Sequence, residues 1–368
     1  MGGAGRPYLS RHFLAEQARC LAPLPFPPGG AADATGVSVQ HNLLALGAWA
    51  EDAQEQRLSI VDLAVGYAAA DVARAPALVT LASFAHRGGG VRAVAAADLA
   101  GGGGEVLLVA AGADGSLARL RLGVPTMPGA QPAAVSLAAG DFDGGELAPW
   151  LPAAHAGAAT AVDVSAEAGL VASAGADGSV AVNAPDSGEA AAPLYDARGG
   201  ASFTAARWAT PATLLATTLQ GALLLFDARR AGPPSLRLCA GGGEPLLAVA
   251  AQGASHAAAT GGADGAVALW DLRAGEGAGP LRRVDAGGAV AALEYTRAYD
   301  SGGGGGGARL AYATQRGAVG VVAEGGAARL LYSEPHAALA ALALSDAGAA
   351  TQIIAATDQE GLLFMANA

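Results

Sequence analysis

Lysine is absent from this 368-residue chain, and all 21 of its basic residues are arginine. That excludes the phosphate-binding loops that end in Lys, Schiff-base catalysis and kinase chemistry. The glycine runs at 101–104, 241–243 and 302–307 are therefore not phosphate loops. Cysteine is almost absent. Cys20 and Cys239 lie far apart with no metal-type spacing, which suits a reducing compartment. Aromatic residues make up only 5% of the chain, so Ala, Val and Leu must pack its core. No apolar run approaches the ~18 residues of a membrane helix. The N-terminal segment carries Arg6, Arg11, Arg19 and several prolines instead of the apolar centre of a signal peptide. A cytosolic or nuclear location is the expectation. The net charge is −11 and no basic run occurs, which speaks against direct nucleic-acid binding and for a solvated acidic surface.

What the chain does contain is a repeating pattern. Its fullest copy is Ala257–Pro280, AAATGGADGAVALWDLRAGEGAGP. An apolar strand ends at Thr260, Gly262–Gly265 form a tight Gly-Ala-Asp-Gly turn, and a second apolar strand closes on Trp270-Asp271. Thinner copies occur at VASAGADGSVAV (171–182), LVAAGADGSLARL (108–120) and LLATTLQGALLLFDAR (214–229). A strand, an Asp-Gly turn and a strand ending in Trp-Asp are the signature of the WD repeat, one four-stranded propeller blade per copy. In such a ring both faces of each sheet are buried, which accounts for 52% hydrophobic residues against 14% charged.

Spacing sets the number of blades. The residue before the turn glycine is Asp114, Asp177, Gln220, Asp264, Arg316 and Glu360, at intervals of 63, 43, 44, 52 and 44 residues. Three of these match the WD period of about 40–45 residues. The two long ones contain extra segments: 123–152, with Pro125, Pro128, Pro132 and the acidic run Asp141–Glu146, read as a surface insertion, and the Gly-rich loop 301–307. A divergent first blade ending at Ile60-Val61-Asp62 brings the total to seven. The expected fold is therefore all-β: residues 1–368 as a single seven-bladed WD-repeat β-propeller. Residues of about 8–30 are the candidate closing strand for the last blade, whose own outer strand is missing at Leu362–Ala368.

The candidate site residues are repeat positions. His86, His155 and His336 each precede an innermost strand, where a ring is expected to hydrogen-bond within its blade. Asp114, Asp177 and Asp264 sit in Asp-Gly turns, where Asp bonds nearby backbone amides. In the third blade His155, Ser173 and Asp177 form a partial network, with Asn183 standing where Trp would complete it. No Gly-x-Ser-x-Gly elbow surrounds Ser173, so these residues are not a hydrolase triad. His12, His41 and His256 have no partner at metal-ligand spacing. Trp270 and Asp271 occupy the Trp-Asp position, and Phe226 and Asp227 the same place one blade earlier. Trp150, in APWLPAAH, is the candidate surface anchor. No catalytic, metal or cofactor residue is expected, and no small-molecule substrate.

The run Pro211–Pro280 resembles the nucleoporin 43 family, WD-repeat subunits of the Y-shaped nuclear pore scaffold. That family is similar in having a divergent blade that ends in aromatic-Asp-x-Arg. An Ala-Thr-Gly-Gly-x-Asp-Gly blade ending in Trp-Asp-x-Arg then follows. LSRHFLAEQARCLAPLP, Trp49 after Gly47-Ala48, and the final ATDQEGLLFMANA also follow the family's order. The resemblance implies a non-catalytic scaffold subunit of the nuclear pore outer ring at the nuclear envelope. Its partners would be other nucleoporins of the Y complex, a short-arm helical-solenoid subunit among them, in support of nucleocytoplasmic transport. Two alternatives stay open. One is a substrate receptor of a ubiquitin ligase, since Asp227-Ala228-Arg229 and Asp271-Leu272-Arg273 supply its motif in adjacent blades. The other is an enzyme built on a propeller.

Overall fold

The computed structural model describes residues 8–14, 17–26, 36–48, 56–68, 71–99, 104–296 (except 128, 139, 191, 198 and 254) and 309–366 (except 324–325 and 348–349). These form seven antiparallel sheets arranged as the blades of a β-propeller. Each innermost strand contacts the next one round, and the seventh contacts the first. The innermost strands are Ala18–Pro23, Val91–Asp98, Ala159–Ser165, Phe203–Thr210, Leu246–Ala251, Val290–Tyr295 and Leu339–Ala347. In the five blades from the third to the seventh, a blade is a simple four-stranded meander outward from the channel, apart from the last strand of the seventh.

The wedge shape of the space between blades sorts residues by size. Near the axis the sheets crowd, and the innermost strands are rich in small residues, as in VRAVAAAD and LLAVAA. Farther out the third strands carry large ones, as in ALLLFD, AVALWD and GLLFMA. Trp270, Phe226 and Phe364 lie there, fully buried. Close packing at native density requires this gradient, and it explains how so few aromatics suffice. The buried residues fall into seven clusters, one for each blade–blade interface. Cohesion is thus mostly between neighbours, as in other repeat folds.

The ring is closed by Tyr8–Phe13, which pairs antiparallel with Gly361–Ala366 from Tyr8↔Ala366 to Phe13↔Gly361. Arg11 fastens this strand through Glu334 at 2.9 Å and Gln359 at 3.1 Å. Closure pairs the edge that the seventh sheet would otherwise expose. Only this part of 8–30 closes the ring. Ala18–Pro23 pairs instead with Ser38–Ala48, as the innermost strand of the first blade.

Segment 123–152 is more than a surface insertion. Pro149–Leu151 pairs with the third strand of the second blade, Leu117–Gly123, and supplies that blade's outer strand. The hairpin Phe142–Asp143/Glu146–Leu147 crosses to the first blade, where Glu146–Leu147 runs parallel to Ala85–His86. Phe142 packs on Phe84 with ring centroids 5.1 Å apart. The first sheet therefore has six strands. The Gly-rich loop 301–307 and Trp49 lie outside the described residues.

Candidate functional site

The connections between the second and third strands form one set of tight turns. Their left-handed position is Gly115, Gly178, Gly221, Gly265 and Gly317, with φ from +76° to +87°. Four of these turns press on the next blade's loop, because a Cβ would stand 2.2 Å from the His155 carbonyl at Gly115, 2.5 Å from that of Ala201 at Gly178, 2.6 Å from that of Glu244 at Gly221 and 1.9 Å from that of Glu334 at Gly317. Glycine is required there by conformation and by space. In the last blade the left-handed residue is Glu360 itself, at φ +57°, and Gly361 already belongs to the strand. The match of Gly361 to the turn glycines is therefore corrected by one residue, with Gln359 in the Asp place.

The third blade assembles its network. His155 bonds Ser179 Oγ through Nδ1 at 2.7 Å and Ser173 Oγ through Nε2 at 2.9 Å. Asp177 accepts from the Ser179 backbone N–H at 3.0 Å, the Ser179 hydroxyl at 2.8 Å and the Ala156 N–H at 2.7 Å. Burial lowers the His155 pKa, against the pull of Asp177. Burial alone would raise Asp177, yet the bonds from Ser179 and Ala156 hold it below the ordinary carboxylate value. Ser173 has no solvent exposure, and its hydroxyl is taken up by His155. In the second blade Asp114 similarly accepts the Ser116 N–H at 2.9 Å and hydroxyl at 2.6 Å. There the ring of buried His86 meets the Gly89 carbonyl at 3.0 Å, and burial lowers its pKa.

The fifth blade has the other half of the pattern. Trp270 donates its indole N–H to Thr260 Oγ1 at 2.9 Å. Asp264 accepts the Ala266 N–H at 3.0 Å and Arg283 at 2.5 Å. In the fourth blade Phe226 replaces the Trp and packs against Tyr195 and Phe203 at 5.3 and 6.3 Å. Asp227 and Asp271 each accept a bidentate fork from the arginine two residues on. These bonds measure 2.8 and 2.9 Å for Arg229, and 2.9 and 2.8 Å for Arg273. The forks hold both carboxyls down to about 2.

Two expectations are corrected. His336 is exposed and joins its blade through its backbone carbonyl, which accepts from Gln359. Trp150 is no surface anchor. It is only 7% exposed, donates its N–H to the Ser187 carbonyl at 2.5 Å, and lies under the Arg119 guanidinium at 5.5 Å. His41, set aside at the sequence level, pairs with Asp62 at 2.8 Å.

Sequence reasoning missed the central channel. Arg207 of the fourth blade reaches Asp163 of the third at 3.4 Å and Glu294 of the sixth, spanning the bore. Glu294 raises the Arg207 pKa, with Asp163 adding to it. Burial pushes Asp163 up despite Arg207 and the Trp208 N–H at 2.8 Å. The channel encloses about 380 Å³ at this level, and one mouth opens to about 710 Å³. Asp163, Arg207 and Glu294 hold the same place in their strands, so stacking the blades in register would have revealed them. Among the described residues no group of three or more His, Cys, Asp or Glu is placed to hold a metal, and no helix is long and apolar enough to cross a membrane.

No protein-family model matches the chain, and no curated protein matches it either. The structure is a seven-bladed β-propeller, consistent with a WD-repeat protein, and a fold of this kind suggests a protein-interaction scaffold.

Proposed function

We propose that this propeller is a non-catalytic scaffold subunit of the nuclear pore outer ring, akin to nucleoporin 43, acting at the nuclear envelope. The observation that carries the reading is the order of its blade signatures. The divergent blade ending Phe226-Asp227-Ala228-Arg229 directly precedes, in the ring as in the chain, the blade ending Trp270-Asp271-Leu272-Arg273. A non-catalytic role is supported by the engagement of His155, Ser173 and Asp177 in holding a turn. A closed ring offers a broad rigid rim to a helical-solenoid partner, and static interfaces of that kind are large.

The test is gentle affinity purification of the tagged chain from nuclear extract. Near-stoichiometric recovery of solenoid and propeller nucleoporins is the expected result. Recovery of a cullin-adaptor pair without nucleoporins would overturn it. That second reading, a ubiquitin-ligase substrate receptor, draws on the exposed Arg229 and Arg273 in adjacent blades, 74% and 68% exposed.

A further inference from the structure

The fourth and fifth blades carry the same outer-strand arginine in different company. In the fifth, Arg283 lies opposite Ala268, three residues after the turn glycine Gly265, and its guanidinium donates to the turn carboxylate of Asp264 at 2.5 Å. In the fourth, Arg237 lies opposite Leu224, three residues after Gly221, and so holds the equivalent place. The turn residue there is Gln220 instead of Asp. A neutral amide gives a guanidinium no countercharge. Its oxygen is also turned elsewhere, to the Ser202 N–H at 3.3 Å.

The other members of the turn network have shrunk in this blade. His155 stands four residues before the third innermost strand, and the residue four before Phe203 is Gly199. Ser179, which follows the turn glycine of the third blade, becomes Ala222. A cavity of about 150 Å³ lies here between the third and fourth blades. Ala222, Leu224 and Pro234 give it apolar walls, and Tyr195, Gln220 and Arg237 give it polar groups. The Tyr195 ring is held against Phe226 and Phe203 at 5.3 and 6.4 Å. Among the described residues the Tyr195 hydroxyl, the Gln220 amide nitrogen and the Arg237 guanidinium have no acceptor. None of the described residues lining the cavity is a carboxylate. Asp196 follows Tyr195 in its strand and therefore points to the opposite face of the sheet.

We propose that this cavity receives an aspartate or glutamate side chain of a partner protein, whose carboxylate takes the place that Asp264 holds beside Arg283 one blade on. Three donors without acceptors, one of them a planar guanidinium, select a carboxylate. A cavity of this size holds roughly six heavy atoms, enough for a carboxylate on a short stem and too few for a nucleotide. Arg237 is exposed on the outer strand, so the cavity is reached from the rim, where a neighbouring protein supplies the ligand. This holds for whichever assembly the ring joins.

The experiment is a saturation-transfer NMR titration of the full chain with three probes: acetyl-Ala-Glu-Ala-amide, acetyl-Ala-Gln-Ala-amide and glutarate. The Glu peptide should bind with a Kd on the order of 1 mM, and the Gln peptide at least about tenfold more weakly. Gln220→Asp installs the fifth-blade arrangement. It should weaken the Glu peptide by about tenfold or more while the melting temperature holds or rises, because Arg237 then has a carboxylate of its own. Arg237→Leu should weaken it by a similar factor, and Tyr195→Phe, which removes only an unpartnered hydroxyl, by a few-fold. Raising salt from about 50 to about 300 mM should also weaken it. Equal binding of the Glu and Gln peptides, no binding of the Glu peptide at about 10 mM, or an affinity that Gln220→Asp leaves unchanged would overturn the proposal. Tighter binding of glutarate than of the Glu peptide would overturn the assignment to a partner protein.

Discussion

The third and fifth blades share a Gly-x-Asp-Gly-type turn and fasten it from opposite ends. In the third, His155 reaches across from the preceding loop to Ser173 and Ser179, and the Trp place holds Asn183. In the fifth, no histidine precedes the innermost strand. Trp270 instead ties to Thr260 from within the sheet, and Arg283 holds Asp264 from the outer strand. Both blades bury every residue of the second strand but its first, Leu170 in the third and Ala257 in the fifth. The constant element is the turn geometry, with a left-handed glycine and a carboxylate on the following amide, and the side chains that buttress it are interchangeable. A repeat fold tolerates this because each blade needs only to present two complementary faces to its neighbours.

Trp270→Ala tests the comparison most severely. It empties the largest buried volume of the fifth blade and strands the Thr260 hydroxyl, so a loss of about 3–5 kcal/mol is expected in denaturant unfolding. Gly178→Ala against Gly265→Ala comes next. Both positions have φ +85°, but the added Cβ would meet the Ala201 carbonyl at 2.5 Å in the third blade and only the Gly288 backbone at 3.1 Å in the fifth. The third-blade variant should lose about 2–4 kcal/mol and the fifth-blade variant about half that. Equal losses would show that the turn is not more tightly seated in the third blade. Ser173→Ala leaves His155 Nε2 buried without its partner and should cost about 1–3 kcal/mol.

Glu360→Gly should act in the other direction. It relieves a left-handed glutamate, the one non-glycine residue at positive φ among the described residues, and a gain of about 1 kcal/mol is expected as a rise in melting temperature. The smallest effect concerns pH. His155 and His86 have pKa values lowered by burial in the folded state. In the unfolded chain they take up protons near the ordinary value of about 6.5. The stability they contribute is therefore present above about pH 6.5 and is lost as pH falls through their folded values. Hydrogen exchange between about pH 7.5 and 5 should show the second and third blades loosening before the fifth. Uniform loosening of all blades would contradict this assignment.

Much of the architecture was legible because it rests on local chemistry. Asp-Gly turns, apolar strands of even length and a 43–44-residue period each have a short-range cause, and together they count seven blades. The hard cases were non-local. Phe142–Asp143 and Glu146–Leu147 read as insertion, because nothing nearby shows that they add strands to the first blade. The same applies to Trp150, whose burial depends on Ser187 and Arg119 in other segments. Glu360 misled for a simpler reason, since Gly361 stands beside it and glycine is the expected occupant of a left-handed turn.

By itself the sequence determined the repeat, the turn positions and the Trp, Phe, His and Asp residues that brace them, since hydrogen bonds within a few residues and side-chain size along a strand decide these. Only the tertiary structure decided which residues meet across the ring. Arg207 meets Asp163 and Glu294 across separations of 44 and 87 residues in the chain. They converge because ring closure brings the fifth position of every innermost strand onto one axis.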